Sequence, residues 1–134
     1  MIEELNNILE KLKEIKYGWI DKNGVIHQRA GRNFFINNYR LQTIEETLEY
    51  KVGTCWEQVE LARYYLEKED ISVQTYLILY NEENKIARHS IAIAQEFGKY
   101  YLVENSWKIN KFLKGYDTPE DIIISIIDLF ERNV

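Results

Sequence analysis

The sequence predicts an α+β fold in which helices pack on a three-stranded antiparallel sheet. Two Thr-x-x-Glu sequences precede helical patterns in the first half of the chain. Three segments rich in β-branched and aromatic residues then follow one another across short turns. Apolar residues at helical spacing begin and end the chain. With 134 residues, 46% of them hydrophobic and 29% charged, a single domain spanning residues 1–134 with its own core is expected.

The N-terminal part of the chain is predicted to be a helix followed by an irregular segment. Apolar residues recur at helical spacing over Glu3–Lys16, and Gly18 is expected to end this helix. Tyr17–Asn38 shows no clear period and is expected to be irregular, except that "DKNG" at Asp21–Gly24 is typical of a hairpin turn between short extended pieces. Long irregular segments in compact domains often form functional walls or lids.

Two capping sequences predict the starts of the next two helices. Thr43 opens "TIEE", so a short helix is predicted over about Ile44–Tyr50. Gly53 breaks the pattern, and "TCWE" at Thr54–Glu57 then begins a helix that is predicted to end near Lys68. In such a box the Thr side chain and the Glu side chain each satisfy a backbone N–H group at the helix start.

Three strands are predicted after these helices, over Ile71–Tyr80, Lys85–Phe97 and Lys99–Trp107. The turns between them are expected at Asn81–Asn84 and at Gly98, so the strands form an antiparallel meander.

A helix is predicted to close the chain in "DTPEDIIISIIDLFERN". Thr118 is its candidate N-cap, Pro119 takes the first helical position, and Glu120 and Asp121 complement the helix dipole. Its apolar stripe is expected to face the sheet and consists of Ile122, Ile123, Ile126, Ile127 and Phe130.

Charge and cysteine content exclude several classes of function. The net charge of −5 argues against nucleic acid as the main partner, because phosphate binding needs a basic face. One cysteine cannot form an internal disulfide or a multi-cysteine zinc site, which favours a cytoplasmic location. The first residues lack the pattern of a signal peptide, and no apolar run is long enough to span a bilayer, so no membrane association is expected.

The single cysteine, Cys55, occupies a position suited to nucleophilic catalysis. If Thr54 caps the helix, Cys55 is the first helical residue, where free backbone N–H groups and the helix dipole favour an anion. The same environment lowers the pKa of a thiol from about 8.5. The N–H groups could also hold the oxyanion of an acyl-transfer reaction. Since a lone cysteine near a helix start is more often a small buried apolar residue, its partners decide between the two interpretations.

A histidine partner for the thiol is predicted at the beginning of the second strand. His89 precedes an Ile- and Ala-rich run, and alternation places it on the same face as Ile91 and Ile93. If that face carries the helix of Cys55, the imidazole can reach the thiol. A buried or rim histidine without chemistry is the alternative.

The third member of a catalytic triad is predicted at the end of the neighbouring strand, in "VENSW". Glu104 is the first candidate to orient the imidazole and Asn105 the second. A metal site built from Cys55, His89 and His27 has no characteristic ligand spacing, so neither a metal nor a cofactor is expected.

Three stretches, "GTCWEQVELARYYLEKEDISVQTYLI", "ARHSIAIA" and "YYLVENSW", resemble the transglutaminase-like superfamily of papain-fold cysteine enzymes. They look most like its small bacterial members with a Cys-Trp-Asp-Gln-Val-Glu-Leu sequence. The resemblance covers about Leu41–Tyr116, and "YGWIDKNG" extends it more weakly. It implies a papain-like, transglutaminase-like core: a nucleophile helix on a three- to four-stranded antiparallel sheet, with the N- and C-terminal helices flanking it.

The resemblance also implies roles for individual residues. Cys55 matches the nucleophile, His89 the general base and Glu104 the orienting acid, although Asn105 could take the last role. Trp56 matches the aromatic residue that follows the nucleophile. Weaker side-chain candidates for holding the oxyanion are Gln42 and Gln58.

The activity implied is acyl transfer from an amide through a thioester, with a peptide or protein as the substrate. Hydrolysis is favoured, because members of the superfamily are more often hydrolytic than cross-linking. The alternatives are transglutaminase-type transfer to an amine, and a catalytically inert binding or regulatory module of the same fold. Arylamine acetyl transfer ranks low, since the chain is short for that class.

Overall fold

The computed structural model describes residues 2–28, 32–82, 85–105 and 114–133, and these form an α+β fold. The helices in this part of the chain are α1 (Ile2–Leu12), α2 (Arg32–Asn38), α3 (Ile44–Tyr50), α4 (Cys55–Lys68) and α5 (Pro119–Asn133). The strands are β1 (Lys16–Tyr17), β2 (Trp19–Ile20), β3 (Ile26–His27), β4 (Val52–Gly53), β5 (Ser72–Glu82), β6 (Lys85–Glu96) and β7 (Lys99–Val103).

The main sheet is the antiparallel meander β5–β6–β7, as predicted. Its second turn joins Glu96 to Lys99 through Phe97 and Gly98, whose φ angles of 51° and 76° are both left-handed, as a two-residue hairpin turn requires. β5 is longer than predicted and includes Asn81, so the predicted turn at Asn81–Asn84 is too wide; residues 83 and 84 lie outside the described residues.

Helices cover both faces of this sheet. α1 and α4 pack on one face, in a cluster that includes Leu5, Leu12, Leu61, Leu66, Ala92 and Ala94. α5 packs on the other face, where the cluster includes Ile78, Ile91, Ile93, Ile122, Ile126 and Phe130. The predicted apolar stripe of the C-terminal helix is therefore confirmed, and the Thr118 hydroxyl accepts from the Asp121 N–H over 3.2 Å as the expected cap.

The N-terminal helix ends earlier than the sequence pattern indicates. α1 stops at Leu12, so the prediction of a helix to Lys16 ended by Gly18 is wrong. Lys16 instead belongs to β1, which pairs in parallel with β4. The Lys16 N–H donates to the Lys51 carbonyl over 2.9 Å, and the Gly18 N–H donates to the Gly53 carbonyl over 3.2 Å. These tertiary hydrogen bonds override the helical period.

The expectation for Tyr17–Asn38 is right for its hairpin, which has short extended pieces on both sides, but wrong for its C-terminal part, which is helical. Its "DKNG" turn joins β2 to β3 as predicted, with Gly24 at φ +83°, a conformation that favours glycine. The segment then continues into α2, "RNFFINN", whose first turn holds no acidic residue. This helix carries few sequence signals because its stability comes from packing: the Phe35 ring stands edge-on to Trp19, with centroids 5.0 Å apart.

The two helices that precede the meander begin and end close to the predicted positions. At the start of α3, Thr43 and Glu46 form the complete capping box, with hydrogen bonds of 3.1 Å in each direction. β7 ends at Val103 instead of Trp107, and residues 106–113, with Trp107 among them, lie outside the described residues. Within the described ranges, no helix combines the length and apolarity needed to cross a bilayer.

Candidate active site

Cys55 is the first residue of α4, at the position predicted for it. Thr54 before it has an extended backbone, with φ −75° and ψ 178°, and acts as the N-cap. The Glu57 carboxylate accepts from the Thr54 N–H over 2.8 Å and from the Thr54 hydroxyl over 2.7 Å. This fixes the backbone before the thiol, while the N–H groups of the first turn have no acceptor within the helix and stay available to an anion.

Glu57 is itself buried, at 2% exposure, and holds a second partner. The Tyr39 hydroxyl donates to its other carboxylate oxygen. Burial, and next the hydrogen bond to Glu57, raise the pKa of Tyr39, so the phenol stays protonated. Sequence reasoning treated Glu57 as a capping residue alone. Nothing in the sequence links it to Tyr39, which lies 18 residues away on the chain.

His89 and Glu104 form a buried ion pair beside the thiol. Nε2 of His89 lies 3.2 Å from Oε1 of Glu104, and the two side chains are 0% and 1% exposed. His89 lies within β6 opposite Ile78, and Glu104 directly follows the end of β7. The Glu104 carboxylate therefore lies within ion-pair distance of the imidazole ring.

The thiol and the imidazole favour each other's charged form. Burial works to raise the pKa of Cys55, but hydrogen bonds from His89 and from the Ser90 backbone N–H outweigh it, so the pKa of the thiol is lowered. Burial likewise works to lower the pKa of His89, but its hydrogen bonds to Cys55 and Glu104 outweigh it, so the pKa of the imidazole is raised. The arrangement therefore stabilises a thiolate–imidazolium pair.

The route by which His89 reaches the thiol differs from the predicted one. Ile91 and Ile93 face α5, whereas α4 packs on the opposite face, so the expectation that the Ile91–Ile93 face carries the helix of Cys55 is wrong. β7 pairs with β6 only as far as Val103 opposite Ala92. Ser90, which lies beyond this last pair, lines a small cavity together with Cys55 and Glu104.

Ser90 is a site residue that sequence reasoning missed. It is 3% exposed and lies next to Cys55, and its backbone N–H, and less so its hydroxyl, lower the pKa of the thiol. A small cavity beside the thiol is lined by Ser90, Gln58 and Glu104 among others. The one available signal was its place directly after His89, and a serine within a strand is too common to be informative.

Asn105 and Gln58 form a bridge between elements beside the site. The Asn105 amide donates to the carbonyl oxygen of Leu12 and to Oε1 of Gln58, both over 2.8 Å, and to the Ile15 carbonyl over 3.2 Å. The Gln58 amide donates to the Gly53 carbonyl over 3.0 Å. Of the two predicted orienting residues, Glu104 thus lies on the imidazole, while Asn105 ties the end of α1 to α4.

The remaining candidates from the sequence have different surroundings. Nε2 of Gln42 donates to Oγ1 of Thr47 over 3.3 Å and to the Val52 carbonyl over 2.9 Å, so both amide hydrogens already have acceptors within the protein. Trp56 is 47% exposed next to the thiol. The backbone N–H groups at the start of α4 are therefore better placed than Gln42 or Gln58 to hold an oxyanion.

His27 is engaged in a separate arrangement. Its Nε2 lies 2.8 Å from Oδ2 of Asp21, and its ring stacks on Trp19 with centroids 4.6 Å apart. In the part of the chain that the structure describes, no group of three or more His, Cys, Asp and Glu side chains is placed to hold a metal ion.

Comparison with protein families agrees with the resemblance seen in the sequence. A family model described as a transglutaminase-like domain matches residues 1–129, well beyond the Leu41–Tyr116 stretch. No curated protein matches the chain significantly. Because the match spans nearly all of the 134 residues, the chain belongs to this transglutaminase-like family, and its α+β architecture fits the papain-like core of the superfamily.

Proposed function

We propose that this transglutaminase-like domain is a cysteine-dependent hydrolase that cleaves an amide bond of a peptide or protein through a thioester intermediate. The observation that carries the proposal is the buried His89–Glu104 pair, with its 3.2 Å contact, set against the thiol at the first residue of α4. Those positions supply a nucleophile, a general acid and base, an orienting carboxylate and free N–H groups together.

In the first half of the reaction, the Cys55 thiolate attacks the amide carbonyl carbon. The N–H groups of the first turn of α4 hold the oxyanion that forms. The His89 imidazolium gives its proton to the amide nitrogen, the C–N bond breaks, and the amine leaves a thioester on Cys55. Glu104 keeps the ring oriented and stabilises its positive charge while the pair exists.

In the second half, water completes hydrolysis. The neutral His89 takes a proton from a water molecule, which attacks the thioester carbonyl. The C–S bond breaks, the carboxylic acid leaves, and the thiolate–imidazolium pair forms again. Transfer to an amine uses the same acyl-enzyme, and the outcome depends on whether water is excluded. Hydrolysis is the preferred proposal because the Cys55 side chain is partly exposed to solvent.

The rate of iodoacetamide alkylation against pH tests the nucleophile directly. Labelling reports on Cys55 alone, because it is the one cysteine in the chain. Fast labelling well below pH 8, lost in His89→Ala, is the expected result. His27→Ala is the matched control, since it removes the other histidine and leaves the pair intact. Equally slow labelling in all three proteins would favour the inert binding module.

A cytoplasmic location fits this chemistry as part of the proposal. The nucleophile must stay a reduced thiol, and the reducing compartment of the cell keeps it so. Neither a metal ion nor an organic cofactor is required by the proposed steps.

A further inference from the structure

A groove of about 310 Å³ lies on one side of Trp56. Its walls come from the segment before α3 and from the first two turns of α4, and its lining includes Leu41, Ile44, Trp56 and Glu60. Leu41 is 55% exposed and Trp56 47% exposed, so two large apolar surfaces face solvent together here. Such a surface next to a nucleophile favours an apolar group of a ligand.

A second groove of about 190 Å³ is also lined by this tryptophan. It lies between α4 and β5, and its lining includes Trp56, Glu60, Leu77 and Ser90. Ser90 and Val59 also line the small cavity at Cys55, so this groove borders the cavity of the reacting atom. The two grooves share Trp56 and Glu60 and are therefore neighbours on the surface, next to the residue that follows Cys55 in the chain.

The charged side chains that line the two grooves are both acidic, Glu57 and Glu60. Glu57 is buried and already accepts from Thr54 and Tyr39. Glu60 is partly exposed, and its contact with Arg63 is long, at 3.9 Å. Arg63 lies closer to Glu67, at 3.2 Å, so the Glu60 carboxylate is the group left to meet a charged ligand.

We propose that these two grooves bind an extended peptide substrate that places a lysine or arginine side chain beside Glu60 and an apolar side chain against Trp56 and Leu41. This inference rests on the proposed function, since the scissile amide of such a peptide would lie at Cys55. The charge of Glu60 selects the cation, and the exposed indole provides apolar and cation–π contact for the stem of the basic side chain.

Peptidyl chloromethyl ketones test this selectivity. The probes are acetyl-Leu-Lys, acetyl-Leu-Gln and acetyl-Leu-Glu chloromethyl ketones, and the second-order rate of inactivation is divided by the iodoacetamide rate of the same protein. The lysine probe should exceed the glutamine probe by about threefold to fivefold, the range of an exposed ion pair. Glu60→Gln should bring this ratio to about one. Glu69→Gln, at the far end of α4, removes an exposed carboxylate outside both grooves and should leave the ratio unchanged.

A binding measurement separates this inference from the proposed chemistry. Acetyl-Leu-Lys amide is titrated into Cys55→Ala, and the NMR signal of the Trp56 indole N–H is followed. A saturable shift that weakens in Glu60→Gln and with acetyl-Leu-Glu amide supports the grooves even if iodoacetamide shows the thiol to be inert. The proposed selectivity is wrong if the three ketones inactivate a reactive thiol at equal rates, or if both peptides give equal shifts. In either case the nucleophile proposal is unaffected, because the iodoacetamide experiment tests it separately.

Discussion

The Asn105 side-chain amide donates to Oε1 of Gln58 over 2.8 Å, joining the end of β7 to the helix that carries Cys55. Its neighbour Glu104 turns instead to the imidazole of His89. The adjacent residues Glu104 and Asn105 therefore make different contributions to the site. One joins separate elements of the fold, and the other interacts with a proposed reacting group.

Asn105→Ala should reduce stability and leave the reactivity of the thiol nearly unchanged. The substitution deprives buried acceptors of their donor, including the Leu12 carbonyl and Oε1 of Gln58, and the expected cost is about 2–3 kcal/mol. Urea unfolding measures the loss, and iodoacetamide labelling of the folded protein against pH measures the thiol. A large shift of the labelling profile at unchanged stability would instead give Asn105 the orienting role.

Glu104→Gln should change the reactivity of the thiol more than the stability of the protein. Removing the carboxylate removes a cause of the raised pKa of His89. The imidazolium is then less stable, so it stabilises the thiolate less. The labelling profile of Cys55 is expected to move toward higher pH, while the amide keeps the volume of the side chain. A profile identical to that of the wild type would remove Glu104 from the proposed triad.

Ser90→Ala should raise the pKa of the thiol by less than His89→Ala does. The variant removes a hydroxyl next to Cys55 but retains the backbone N–H, which makes the larger of the two contributions of Ser90 to the lowered pKa of the thiol. The thiolate absorbance against pH measures the shift. Thr75→Ala is a suitable control, because Thr75 lines the adjacent groove without belonging to the cavity at the thiol. No difference between the two variants would contradict the role given to Ser90.

The pH dependence of turnover should be bell-shaped, once a substrate is in hand. Activity falls at low pH as the thiolate is protonated and at high pH as the imidazolium loses its proton. Because the folded pKa of His89 is raised, its protonation contributes stability below about pH 6.5 that is lost as pH rises through the folded value. NMR titration of His89 should give a midpoint above 6.5 in the wild type and a lower one in Cys55→Ser. Equal midpoints would exclude the coupled pair.

Tyr39→Phe should destabilise the loop that positions Cys55. It removes a donor from the buried Glu57 carboxylate, at an expected cost of about 1–3 kcal/mol. Unfolding in urea measures this cost, and Tyr50→Phe is the matched control, since Tyr50 is 47% exposed. If the two variants lose the same stability, the Tyr39–Glu57 hydrogen bond contributes nothing measurable.

Features set by local chemistry were predictable from the sequence. The extended Thr54, the helix that begins at Cys55 and the hairpin turn at Gly24 each follow from a few neighbouring residues. The pairing of the three main strands follows from their alternation and from the turns between them.

Features set by distant contacts were not predictable. α1 ends at Leu12 because the next residues pair with β4, about 35 positions along the chain. The hydrogen bond from Asn105 to the Leu12 carbonyl joins residues 93 positions apart, and no periodic pattern in the sequence predicts it. Alternation placed His89 on a face, but its pairing with Glu104 depends on how the chain leaves β7, which no local pattern predicts.

The pairing of β1 with β4 makes the N-terminal segment part of the nucleophile's support. A chain trimmed to begin at Leu41 would retain Cys55, His89 and Glu104 and would lose the strand whose N–H groups hold the carbonyl oxygens of Lys51 and Gly53. Such a fragment would retain the three side chains but lose backbone hydrogen bonds that position the segment before Cys55. The N-terminal strand thus belongs to the same structural unit as Cys55, in agreement with the family match, which begins at residue 1 and extends to residue 129.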